Sequence, residues 1–293
     1  MSARKRPRPR SQARYSRAPV IAVGFSLLLM LGPVVLGGQG ILVFFSLLGL
    51  GIVVGGVIAV AFMSFEAEDV RTALTTVARL FKEPIWARED LTHDLETILK
   101  WSRVLTRRGA RNLDADIAEE DLEDGFVKYG LNMVLSDYEP DEVLGMLETA
   151  AESSYERDCK VVDILQAMAS HAPAFGMIGT LLGMVALLSN LTDNVSAVAP
   201  SLAVAFLATF YGVFSARMVY MPAAARLRHE IDLRRFRHHF ITQGMVMLCG
   251  RKSPTQIQDR LNSFLRPDAL NYFDYFDKST RRGVASPLKV IGV

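Results

Sequence analysis

HAPAFGMIGTLLGMVALLSNL, residues 171–191, decides the fold class. From Ala172 to Leu191 it contains no ionisable residue, and about 20 apolar residues are what a helix needs to cross a bilayer. At about 100° per residue, Gly176, Gly179, Thr180, Gly183 and Ala186 share one sector. Met177, Ile178, Leu181, Met184, Val185 and Leu188 fall in the other. A helix surrounded by lipid has no need of a small-residue stripe. A helix whose backbone comes close to other helices does.

The design recurs at once. Between Val195 and Met221, one side holds Ser201, Ala205, Ala208, Thr209, Gly212, Ser215 and Ala216. Leu202, Phe206, Phe210, Val213 and Phe214 lie on the other. Each stretch thus presents a small, faintly polar face with one threonine, Thr180 or Thr209. Helix packing accounts for any single glycine. Two matched faces in consecutive spans predict more: a shared pore or a shared partner helix.

Upstream, Ala18 to Phe65 contains no ionisable residue. That run is too long for one span and divides at Gly37-Gly38-Gln39-Gly40 into spans at 19–37 and 41–64. A cleaved signal peptide is the weaker reading, because no small-x-small cleavage site is evident and a second span follows directly. Residues 1–17 carry seven Lys/Arg and no acid. Their charge alone would suit nucleic acid, but the adjoining apolar run makes a positive-inside anchor the better reading. No nucleic-acid partner is expected.

Residues 66–170 are soluble in character and mostly helical. Apolar positions at helical spacing predict helices over Arg71–Phe81, Asp90–Arg107, Phe126–Leu135 and Asp141–Ala150, with Gly109 breaking the second. A further polar helix from Tyr155 is predicted to run into the membrane stretch, with Pro173 at its border. After Pro222 comes RLRHEIDLRRFRHHF, five arginines and three histidines against two acids. His238-His239 there reads as a solvated face or a lipid-headgroup contact, not a metal site.

The charged segments hold essentially all the Lys and Arg, and the turns near Gln39 and at Asn190–Asn194 hold none. By the positive-inside rule both termini and the large loop are cytoplasmic. The predicted chain is an all-α, multi-pass membrane protein. A basic arm (1–17) is followed by spans one and two (18–65) and a helical cytoplasmic domain (66–171). Spans three and four (172–222) and a cytoplasmic C-terminal helix and tail (223–293) complete it.

The chemistry is sparse. No phosphate loop or Ser/His/Asp arrangement emerges, and Cys159 and Cys249 lack metal spacing, so neither an enzyme, a metal site nor a cofactor is expected. The spans contain no Asp, Glu, Lys or His; their one charge is Arg217, which can snorkel to the cytoplasmic headgroups. Ion pathways normally need an intramembrane ionisable group. If this chain moves ions, the titrating carboxylate comes from another chain.

PAFGMIGTLLGMV (173–185), AVAFLATFYG (203–212) and the following Pro222 resemble the MotA/PomA family of flagellar stator subunits, within the wider MotA/TolQ/ExbB group. RRGARNLD, DGFVKYGLNMVLSDYEPDEV, YERD and MVMLCGRKSPTQIQDRLNSFL extend the likeness over most of residues 95–265. The resemblance implies a pentameric ring around a MotB/PomB-like single-span partner whose aspartate binds H⁺ or Na⁺. Ion flow through it would drive the ring, and the cytoplasmic loop would push the rotor protein FliG. By motif position, Thr180 and Thr209 would line the ion route, with Ala208 where the family often has a second threonine. Pro173 and Pro222 would be hinges. Arg107 or Arg108, with Asp114 or else Asp116, would face the rotor. A TolQ/ExbB-like subunit energising a periplasmic partner is the alternative, with three spans instead of four. A membrane scaffold is a third reading, against which the paired small-residue faces speak.

Overall fold

Glycines and alanines, more than large side chains, bring the apolar helices of this protein together. A computed structural model describes residues 24–25, 45–78, 89–108, 124–190 and 198–264. The predicted first span apart from Gly24 and Phe25, the basic arm, both short turns and the C-terminal tail beyond 264 lie outside the described residues. Among the described residues every regular element is helical. Three of these helical stretches are long and apolar enough to cross a membrane: Leu47–Ser64, Pro140–Ser189 and Val198–Cys249. The chain divides by packing into two compact units.

The first unit draws on residues 1–87 and 149–236. Its helix α1, Leu47–Ser64, starts six residues after the predicted position, because the Ser46 side chain caps it by accepting from the Gly49 N–H at 3.2 Å. Helix α2, Ala67–Ala78, buries Val70 and Ala73. The unit's core joins Val57 and Ala61 of α1 to these two, to Val161, Val162, Ile164, Leu165 and Met168, and to Ala216, Tyr220 and Ile231.

Pro140–Asn190 is one unbroken helix of 51 residues, which we label α5. Periodicity predicts two separate helices there, meeting near Tyr155. The connection is helical because Ala151-Glu152-Ser153-Ser154 holds neither Gly nor Pro, and the buried face runs on in phase from Val143 through Leu147 to Ala151. Pro173 therefore lies deep inside a helix, not at its border.

Pro222 does not end its helix either. Helix α6, Val198–Phe214, passes through a π-helical turn at Ser215–Tyr220 into helix α7, Met221–Cys249. The Met221 N–H donates to Ala216 O, five residues back, and Pro222 follows without an N–H to give. A widened turn before a proline lets the helix continue without the ring striking the preceding carbonyls.

The second unit draws on 88–148 and 237–293. Helix α3, Glu89–Arg108, and helix α4, Gly125–Leu135, pack against the C-terminal part of α7 and helix α8, Pro254–Asn262. Leu95, Ile98, Leu99, Trp101, Leu131, Phe240, Ile241, Met245, Ile257 and Leu261 form its core. A Ser253–Gln256 capping box starts α8.

Helices α5 and α6 approach most closely at their glycines. A Cβ added at Gly212 would stand 2.6 Å from Ala172 O and 3.0 Å from the Gly176 Cα, both backbone atoms that cannot step aside. Gly51, by contrast, faces open space. Gly212→Ala is expected to lower the melting temperature of the detergent-solubilised protein, a loss of about 1–3 kcal/mol as for other overpacked cores. Gly51→Ala should leave it unchanged. Equal melting of the two variants would contradict this account of the contact.

Candidate functional site

The two small-residue faces read from the sequence meet each other. Gly176, Gly179 and Gly183 of α5 lie against Ala205, Ala208 and Gly212 of α6, so close that a Cβ added at Gly179 would stand only 2.4 Å from that of Ala208. Ala208 is fully buried. This corrects the expectation that both faces are turned to a partner helix: within this chain each is the other's partner. The open faces are the bulky ones. Met177, Leu181, Met184, Val185 and Leu188 of α5 and Leu202, Phe206 and Val213 of α6 are exposed.

Thr180 and Thr209 stand at the edges of the seam, both half-buried. The Thr209 hydroxyl donates across it to Gly176 O at 3.4 Å. That of Thr180 donates back along its own helix to Met177 O at 2.6 Å. Each threonine thus commits its proton to a carbonyl and keeps oxygen lone pairs that can accept from water or coordinate a cation. Thr209 also borders an open groove of about 280 Å³ with Phe210, Val213, Phe214, Arg217 and Met218. Among the described residues of the apolar spans that groove holds the one charged side chain, Arg217, which is exposed.

Helix α1 closes the seam from one side. The Phe175 ring occupies the space a side chain at Gly56 would need. The Ser46 N–H donates to the Tyr211 hydroxyl at 2.8 Å, so the residue that caps α1 is also tied to α6.

Further along the first unit the arginine-rich stretch is answered by acids and a tyrosine on α5. Arg234 meets Asp158 at 2.8 Å and Arg235 meets Glu152 at 2.8 Å. Arg228 donates to the Tyr155 hydroxyl at 2.7 Å, and the Arg235 guanidinium lies 4.3 Å from the centre of the Tyr155 ring.

In the second unit sequence reasoning missed a partly buried ionic triad. Arg237 of α7 grips Asp94 of α3 through Nε at 2.6 Å and Nη2 at 2.9 Å, and also donates to Asp124, which caps α4 by accepting from the Phe126 N–H at 2.9 Å. Burial pushes both carboxyls up. At Asp94 it prevails over the guanidinium and leaves the group above its ordinary value, whereas at Asp124 the Arg237 contact and the Phe126 N–H prevail and hold it below. His238 is 7% exposed and stacks on Phe126 at 4.0 Å, so its expected solvated face is corrected to a packed one. Five arginines in a row of polar letters concealed which one turns inward; the usable signal was Phe240, buried three residues beyond Arg237.

Of the remaining sequence-derived residues, Pro173 is half-buried and Pro222 and Arg107 are exposed. The side chain of Arg108, and the whole of Asp114 and Asp116, lie outside the described residues. Among those described, no cluster of His, Cys, Asp and Glu could hold a metal ion.

Removing the centre of the triad leaves two largely enclosed carboxylates without a counter-charge. Arg237→Met is expected to destabilise the protein by about 3–5 kcal/mol, read as a fall in the thermal or denaturant midpoint. A loss below about 1 kcal/mol, the range of an exposed pair, would contradict the placement of Arg237 inside the unit.

Residues 118–238 match the model of the MotA/TolQ/ExbB proton channel family. The chain is 30% identical over 246 residues to motility protein A of Borreliella burgdorferi, covering 84% of this chain and 91% of that one. To the chemotaxis protein PomA of Vibrio alginolyticus it is 30% identical over 242 residues, covering 83% and 91%. Its fold is similar to a chain of the flagellar MotAB stator complex of Bacillus subtilis, with a TM-score of 0.73 at 22% identity, over 86% of this chain and 96% of that one.

Proposed function

This chain belongs to the MotA/PomA family of stator subunits, within the MotA/TolQ/ExbB proton channel family, and from that premise we propose how it works. It is a multi-pass inner-membrane protein that assembles as a pentameric ring around a single-span, MotB-like subunit. The partner brings the ion-binding aspartate. This chain supplies the walls, and ion passage turns the ring so that its cytoplasmic loop pushes on FliG. Both termini and the large loop lie in the cytoplasm, as the Lys and Arg distribution supports.

The observation that carries this reading is a division of chemistry. The seam between α5 and α6 has hydroxyl oxygens at its edges and no titratable side chain. A bare ion in hydrocarbon without a counter-charge is strongly disfavoured. Thr209 and Thr180 can replace part of an ion's hydration or hold a water beside a carboxylate brought by another helix, with Ala208 setting how near α5 and α6 come to each other. H⁺ is the ion in the family's description, and at Ala208 a second hydroxyl is missing. Pro173 inside α5, and Pro222 after the π-turn, interrupt the backbone ladder. They are the places where a shift at the seam passes into the rest of each helix. Arg107, Arg108 and Asp114 are the charges offered to the rotor.

One swimming assay with complex recovery tests both ends of this path. Thr209→Val, and to a smaller extent Thr180→Val, should still assemble with the partner and lose most ion-driven torque, while Thr→Ser at either site retains more. Exposed pairs contribute only about 0–1 kcal/mol each, so single changes at the loop should do little. Arg107→Glu with Arg108→Glu should stop motility without affecting assembly. Normal swimming by the double Val variant would reduce both threonines to packing residues, and normal swimming by the double Glu variant would move the rotor contact elsewhere.

A further inference from the structure

In the second unit, a cavity of about 230 Å³ has no part in the scheme above. It is lined by Ser102, Leu105 and Thr106 of α3 and by Leu248, Arg251 and Lys252 at the end of α7. Sites for drug-sized ligands occupy roughly 300–1,000 Å³. This one suits a single charged group with a small organic remainder.

Its chemistry is that of an anion site. Lys252 is exposed and has no carboxylate partner among the described residues. Arg251 meets Asp137 at 3.1 Å with the two side chains 50% and 84% exposed. Such an exposed pair is weak, so the guanidinium can exchange it for a stronger partner. Ser102 is 1% exposed, and its hydroxyl is buried without a hydrogen-bond partner. An unpaired buried hydroxyl is destabilising, and an acceptor oxygen in the cavity would relieve that cost. Thr106 gives its own proton to Ser102 O at 2.8 Å, which leaves Ser102 as the free hydroxyl donor.

Arg251 adds a second argument. Its φ is 52°, the left-handed conformation in which a residue other than glycine is strained. Helix α7 ends there, with Lys252 N–H returning to Met247 O at 3.0 Å, a termination that glycine makes without strain. An arginine in that place puts a guanidinium at the mouth of the cavity at a conformational cost.

We propose that this cavity binds a small soluble phosphate compound, with Lys252 and Arg251 facing the phosphate and the Ser102 hydroxyl donating to it. A phosphate monoester carries about −1.5 to −2 at neutral pH and so matches two cations, where a carboxylate matches one. The carboxyl end of α7 contributes partial negative charge at the same place. Binding therefore depends on both cations together, and losing either one is enough to abolish most of it.

The test uses the full-length chain in detergent and phosphate-free buffer, titrated with inorganic phosphate, with glycerol phosphate and, for comparison, with acetate. Binding is followed by phosphorus NMR line broadening and calorimetry. Wild type should bind both phosphates saturably, one per chain, and acetate not at all. Lys252→Gln and Arg251→Gly should each weaken phosphate binding at least about tenfold, the worth of one charge-assisted hydrogen bond. Arg251→Gly relieves the left-handed strain, so it should melt no lower than wild type, and its loss of binding cannot be put down to unfolding. No saturable phosphate binding by wild type would overturn the proposal, as would equal binding by wild type and both variants. Acetate binding as tight as phosphate would also overturn it and mark the cavity as a socket for a protein carboxylate. None of these outcomes bears on the stator reading, which is tested by motility.

Discussion

The contact between α5 and α6 is close because Gly176, Gly179 and Gly183 meet Ala205, Ala208 and Gly212 with almost nothing between the backbones. In a bilayer, where lipid tails are as apolar as leucine, such association comes from van der Waals packing at short range and from the few polar contacts that short range permits. The Thr209 hydroxyl reaching Gly176 O is one of those contacts. The position of α1 follows as well, since its Gly56 and its cap at Ser46 are fitted to Phe175 and Tyr211 on the same two helices. Larger side chains anywhere along the seam would separate the helices and dismantle the hydroxyl arrangement with them.

The same constraint decides what the chain can and cannot do alone. A seam this tight leaves no room inside for an acid and its hydration, and the apolar spans carry none. What they offer is a scaffold with oxygen atoms at its edges and wide apolar faces, Met177 to Leu188 on α5 and Leu202 to Val213 on α6. Those faces are the surfaces left for lipid, for further copies and for a partner helix. The charge chemistry sits elsewhere, in the partly buried Arg237 triad and in the pairs between α5 and α7, where carboxylates meet the guanidinium groups.

Much of this was legible in the sequence. The all-helical class, the small-residue stripes and the helices at Glu89–Arg108 and Gly125–Leu135 follow from periodicity and hydropathy. The direction of the stripes did not, because periodicity says which residues share a face and not what that face meets. Pro173 and Pro222 misled for a related reason. Proline predicts an interruption of the hydrogen-bond ladder, but a long helix held by packing on both sides tolerates the interruption, at Pro222 by widening the turn before it. Arg237 was hidden among arginines whose neighbours face water. Only the packing of α3, α4 and α7 shows that this one meets Asp94 and Asp124. Of the residues assigned by resemblance, Thr180, Thr209 and Ala208 gather at one seam, while the loop charge Asp114 lies outside the described residues.

The central claim is that this chain builds the walls of an ion route whose charged group another protein must supply. Ion flux into liposomes tests it most directly, measured with the purified chain alone and then with a MotB-like partner co-purified. The account predicts no flux above that of empty liposomes for the chain alone, and flux with the partner that disappears when the partner's transmembrane aspartate is changed to asparagine. Sustained flux through the chain alone would contradict it and make the protein an independent channel.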